Sequence, residues 1–155
     1  MQFSKSTGYA LHALVYLAGA NPGTNLGIRE LAEFLGVSES YLSKVMSKLR
    51  QGGLVRSAPG VSGGYELAHP AGNITFRAVI EIVEGRQPLY ECARFEEHRH
   101  SLFRKQGARG HAARECLVQS VMNGAEQELQ AYLRAHTIQW VLDNARLSKH
   151  ANTRG

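Results

Sequence analysis

GIRELAEFLGVSESYLSKVMSKLRQGGLVR, residues 27–56, decides the fold of this chain. Ile28, Leu31, Ala32 and Leu35 recur at helical spacing and predict one buried face. Gly36 stands where that helix must end on a left-handed residue, and Ser38 where the next one needs a cap. The second helix is predicted from about Glu39 to Gln51, with Leu42, Val45, Met46 and Leu49 inward and Gly52 and Gly53 stopping it. Two helices joined by so tight a turn form a helix-turn-helix. Outward on the second helix stand Ser40, Tyr41, Ser43, Lys44, Ser47 and Lys48, with Glu39 alone acidic. Short hydroxyls and cations on one face can meet phosphates and base edges. Arg29 and Ser38, near the helix starts, are counted with them. The same composition also makes an ordinary solvated helix face, so the motif needs its context.

The continuation supplies it. LVRSAPGVSGGYEL reads as two short strands, Leu54 to Ser57 and Gly64 to Leu67, around a Gly/Pro/Ser loop. A hairpin after a helix-turn-helix makes a winged helix, whose second helix enters the major groove while the wing touches backbone or minor groove. Arg56, Gly63, Gly64 and Tyr65 are the expected wing contacts. A net charge of +5, from 18 Lys and Arg against 13 Asp and Glu, is compatible with an anionic partner.

Elsewhere the composition excludes more than it specifies. Hydrophobic residues make up 43% and charged residues 20% of 155, the balance of an ordered globular chain. The N-terminal MQFSKSTGYALHALVYLAGA has Leu11, Leu14, Val15 and Ala18 at helical spacing and predicts an amphipathic core helix rather than a signal peptide or membrane span. A cytoplasmic location, with reduced thiols and no membrane partner, is the expectation. No phosphate-binding Gly-rich loop, nucleophile elbow or HExxH helix is present, so the chain is not expected to be an enzyme.

Four pieces together carry a family likeness: YALHALVYLA, the run IRELAEFLGVSESYLSKVMSKLRQGGLVRS, the wing end GGYEL, and ITFRAVIEIVEG followed shortly by a cysteine. Over roughly the first 92 residues the chain resembles the bacterial winged-helix regulators that include the iron-sulfur cluster regulator IscR, the nitric-oxide sensor NsrR and the cysteine-metabolism regulator CymR. The resemblance implies a mainly α fold: a winged helix-turn-helix DNA-binding domain with a two-stranded wing and a long C-terminal dimerisation helix. It implies a homodimeric repressor on a palindromic double-stranded operator. The expected organisation is a DNA-binding domain over 1–84, a sensor loop over 85–115, a dimerisation helix and short terminal helix over 116–147, and a disordered tail over 148–155. The long helix is expected from about Cys116 to Ala135, with Val118, Val121, Ala125, Leu129 and Leu133 on its dimer face. Thr137 is expected to cap the terminal helix, whose Trp140 and Val141 would cover the bundle. At the wing the chain departs from the family, because Pro59 takes the place where an arginine commonly precedes the Gly-rich turn. That shifts specificity toward the recognition helix.

The second departure is ECARFEEHRHSLFRKQGARGHAAREC, residues 91–116, which holds both cysteines. Cluster-binding family members carry three cysteines and a variable fourth ligand; here only Cys92 and Cys116 stand in the sensor region. A [2Fe-2S] cluster accepts imidazole in place of thiolate, and His12, His98, His100 and His111 are the candidates, two at most being needed. A thiol switch between Cys92 and Cys116 is a second reading, since the seven basic residues from Arg86 to Arg114 would favour thiolates. Control by a partner protein, with no cofactor, is a third.

Overall fold

The structure, a computed structural model, describes residues 2–21, 23–60, 63–90 and 117–151, with side chains to residue 145. It runs α1 (Lys5–Gly19), α2 (Ile28–Leu35), α3 (Glu39–Gln51), β1 (Val55–Ala58), β2 (Gly64–Leu67), α4 (Phe76–Glu84), α5 (Leu117–Ala135) and α6 (Ile138–Ala151), with one 3-10 turn at Ala71–Asn73. The chain divides into two units, 1–87 with 130–155 and 88–129. The first is the winged helix, mostly helical with a two-stranded antiparallel sheet.

The turn between α2 and α3 forms as its residues dictate. Gly36 adopts φ 66°, ψ 36° and its N–H returns to Ala32 and Glu33 carbonyls, which satisfies carbonyls the helix end would orphan. The Ser38 side chain accepts from the Tyr41 N–H and caps α3. Inward from α3 point Leu42, Val45, Met46 and Leu49, all buried, as expected. They meet Leu31 and Ala32 of α2, Val55 of β1, and Ile74, Val79 and Val83 in and before α4.

In α1 the buried face is Thr7, Ala10, Ala13, Leu14 and Leu17. Of the four residues expected inward only Leu14 is fully buried, while Leu11, Val15 and Ala18 flank the core. This helix is apolar around most of its girth, so periodicity alone does not choose a face; small alanines let α1 approach its neighbours closely. α6 starts on the Thr137 cap, whose hydroxyl accepts from the Trp140 N–H at 3.1 Å. Its inward anchor is Ile138, fully buried, whereas Trp140 is 49% exposed and does not cover the bundle. The Trp140 ring instead meets His136 edge-on, and His136 lies against Tyr132 with the rings tilted by 33°. α6 runs to Ala151, past the boundary expected at 147; neither Gly nor Pro interrupts the run before it.

β1 begins one residue later than expected and pairs Val55 with Leu67 through Ala58 with Gly64. The hairpin is tied back to the chain before α2, since Leu26 and Tyr65 exchange two backbone hydrogen bonds of 3.0 and 2.9 Å. Gly64 permits this: a Cβ there would stand 2.6 Å from the Leu26 carbonyl oxygen, against backbone that cannot yield. Gly64→Ala is therefore expected to destabilise the protein by about 2 kcal/mol or more. Thermal unfolding checks it, and an unchanged midpoint would show that the wing is not held this way.

Of the second unit, 117–129 is the N-terminal part of α5. Leu89 N–H donates to Glu126 at 3.2 Å, and the Gln119 amide donates to the Tyr90 carbonyl and to Asn123. Leu117, Val118 and Val121 on this helix are exposed.

Candidate nucleic-acid interface

Helical geometry, roughly 100° per residue, divides the outward face of α3 into two strips. Ser40, Ser43, Lys44 and Ser47 are spaced i, i+3, i+4, i+7 and form one stripe, nearly opposite the buried Leu42, Val45, Met46 and Leu49. Ser40 and Lys44 are exposed, Ser43 and Ser47 half-buried. The stripe carries three hydroxyls and one ammonium and no acidic group. Such a surface lets a duplex approach closely, because its side chains are short and its charge has the sign that phosphates attract.

Tyr41 and Lys48, seven residues apart, lie on the adjoining flank and have partners within the protein. The Tyr41 hydroxyl is hydrogen-bonded to Ser6 Oγ at 2.8 Å, and its ring meets Tyr9 edge-on with centroids 5.7 Å apart. The Lys48 ammonium donates to the Val83 carbonyl at 2.9 Å, near the end of α4. Sequence reasoning set both residues beside the serines; the structure turns their polar ends toward α1 and α4.

The remaining expected contacts are distributed around the stripe. Ser38 caps α3 and stays exposed. Arg29 is exposed and donates to Glu33 at 3.0 Å, a contact that holds its guanidinium pKa above the ordinary value, this hydrogen bond being the largest cause. Arg56 pairs across the hairpin with Glu66 at 3.3 Å. Tyr65 is half-buried against the core. Gly63 is needed by the turn itself, where a Cβ would collide with the Ala58 carbonyl oxygen. Gly63 and Gly64 thus have structural reasons for being glycine that hold with or without a ligand.

A polar seam that sequence reasoning missed lies behind α3. Glu84, the last residue of α4, accepts from the Ser4 N–H at 2.8 Å and from the Thr7 hydroxyl. Its carboxyl is held below the usual carboxylate range, chiefly by the Thr7 hydroxyl and then by Ser4, with Lys48 adding a smaller attraction. One turn earlier on α4, Glu81 bridges Arg77 at 2.7 Å and Arg86 at 3.2 Å, and its pKa is lowered, first by the Arg77 hydrogen bond. The sequence signal for the seam was present in STG at 6–8 and EG at 84–85, but nothing local says that they meet.

Of the candidate metal ligands only His12 is described. It is exposed on α1, and its Nδ1 lies 2.8 Å from the Gly8 carbonyl. A carbonyl only accepts, so Nδ1 donates to it and Nε2 is the ring nitrogen left for another partner. Cys92, Cys116, His98, His100 and His111 lie outside the described residues. Among the described residues no three His, Cys, Asp or Glu side chains converge as a metal site.

Comparison with known proteins places the chain in a family of regulators. The family model described as Rrf2, iron-dependent transcriptional regulator, matches residues 3–144. The chain is 38% identical to protein aau3 of Rhizobium meliloti over 92 residues, a stretch that spans 59% of each chain. It is 29% identical to YwgB of Bacillus subtilis, named as an HTH-type transcriptional regulator, over 143 residues that cover 92% of this chain and 85% of YwgB. Among solved structures, IscR of T. potens superposes with a TM-score of 0.68 at 23% identity, covering 94% of this chain and 88% of that one.

Proposed function

The chain belongs to the Rrf2 family of DNA-binding transcriptional regulators, and from that premise we propose that it is a dimeric repressor that reads a palindromic operator with the Ser40, Ser43, Lys44 and Ser47 stripe. The observation that carries the reading is the stripe itself: the outward side of a capped second helix, short, hydroxyl-rich and cationic, beside a two-stranded wing. Lys44 is its phosphate contact and Ser40 a base contact, with Arg29, Ser38 and Arg56 at the margins. Tyr41 and Lys48 support the stripe from the flank. Half-sites would be spaced by about one helical turn or a multiple, as two symmetry-related α3 helices require. The exposed Leu117, Val118 and Val121 of α5 supply an apolar face for the second copy.

The experiment compares Ser40→Ala and Lys44→Ala on a duplex that the protein selects from a random-sequence pool and on a scrambled duplex. Ser40→Ala is expected to weaken the selected duplex about tenfold and the scrambled one hardly at all. Lys44→Ala should weaken both, since a phosphate contact carries no sequence information. Equal losses on both duplexes for both variants would contradict the assignment.

For the signal, we propose that Cys92 and Cys116 serve the sensing site as thiolate ligands of a [2Fe-2S] cluster completed by histidine. His12, exposed and with Nδ1 engaged by the Gly8 carbonyl, and one of His98, His100 or His111 are the candidates. Such a cluster would supply a redox-sensitive charge at these residues. Anaerobic purification should then give a coloured protein with stoichiometric iron and sulfide. A colourless protein whose affinity for DNA changes with oxidant only while both cysteines are intact would instead identify a thiol switch.

A further inference from the structure

Resting on this DNA-binding reading, we propose that Lys48, Tyr41 and Glu84 are positioning residues, which set the angle at which the α3 stripe is presented without themselves touching DNA. The apolar face of α3 fixes which side of the helix is buried. Apolar contact is non-directional, so Leu42, Val45, Met46 and Leu49 leave the roll of the helix about its axis less well defined. Hydrogen bonds are directional and supply what is missing. Tyr41 and Lys48 sit two turns apart on one flank, so their bonds to Ser6 and to the Val83 carbonyl hold α3 at both ends against rotation.

The seam closes on itself. Ser4 is the N-cap of α1 yet its side chain makes no capping bond, and the Glu84 carboxylate stands in by accepting the Ser4 N–H. A carboxylate at a helix N-terminus is favoured by the positive end of the helix dipole. Thr7 is 2% exposed, the buried polar residue among those described, and its hydroxyl is satisfied by the same carboxylate. In turn Lys48 satisfies a carbonyl in the last turn of α4, where a cation is favoured. The start of α1, the flank of α3 and the end of α4 therefore share one polar cluster. Gly52 brings the end of α3 against α4, since a Cβ there would lie 2.5 Å from Ile82 Cδ1. The chain leaves α4 through Gly85 immediately after the seam. Any event that loosens the last turn of α4 is thus delivered to α3 through Lys48.

The test uses the full chain, with Lys48→Met and Glu84→Gln alone and together and Lys44→Met as control, on the duplex that the wild type selects from a random-sequence pool. Lys48→Met and Glu84→Gln are each expected to weaken that duplex about fivefold. The double variant should be little worse than the poorer single one, because both changes break one cluster. Affinity should fall with salt as steeply as in the wild type, whereas Lys44→Met should reduce that slope by about 0.9. A slope reduced by Lys48→Met, with Glu84→Gln without effect, overturns the proposal and makes Lys48 a phosphate contact. If the wild type selects no duplex, the DNA-binding reading fails separately, and amide hydrogen exchange decides the positioning role. Faster exchange along α3 in Lys48→Met and Glu84→Gln, but not in Lys44→Met, supports it; unchanged protection overturns it.

Discussion

Val121→Asp is expected to abolish operator binding at concentrations where the wild type is saturated, while the winged helix stays folded. Val121 is 71% exposed on α5, next to Leu117 at 75% and Val118 at 58%. In the proposed dimer this contiguous apolar strip is the surface that meets the second copy. A carboxylate placed there would be buried unpaired on association, twice over in a symmetric interface. The dimer would dissociate and each α3 would bind alone. Loss of the linked second half-site forfeits an effective concentration worth about 10²–10⁴ in affinity. Sedimentation of the variant should give the monomer mass with an unchanged far-ultraviolet spectrum. A dimeric Val121→Asp protein with full affinity would place the dimer interface elsewhere.

The second large effect is expected from Ser43→Glu. Ser43 stands inside the stripe beside Ser40, Lys44 and Ser47, and half-buried, so a longer acidic side chain there cannot swing clear of an approaching duplex. The carboxylate would face phosphates in a partly desolvated contact and would also draw off the Lys44 ammonium. Affinity for selected and scrambled duplexes alike should fall about 100-fold or more, because like charge repels whatever the sequence. Folding should be little affected, since the substitution points away from Leu42, Val45, Met46 and Leu49. A loss below about threefold would mean that this side of α3 does not meet DNA.

Much of this was legible in the sequence because the helix-turn-helix is built from local rules. Gly36 and Gly53 mark helix ends by their positive φ and Ser38 by its side-chain cap, and α3 has the bounds its sequence predicts. The four inward residues of α3 followed from spacing for the same reason. Where a helix is apolar on several sides, as α1 is, spacing picks out Leu14 but misses that Thr7, Ala10 and Ala13 face the core. The division of the α3 face could not be read locally at all. Lys48 and Tyr41 look like neighbours of Lys44 and Ser40, and only the folded chain brings Val83, 35 residues away, against the one and Ser6 against the other. On α6 the inward position belongs to Ile138, fully buried, and the expected Trp140 is 49% exposed.

The most direct test of the central claim is selection of duplexes by the full chain from a random-sequence pool at near-physiological salt. The account predicts enrichment of an inverted repeat whose half-sites are separated by about one helical turn or a multiple, bound by a dimer with affinity that falls steeply with salt. No enrichment over the starting pool, or enrichment of a motif without two-fold symmetry, would contradict it.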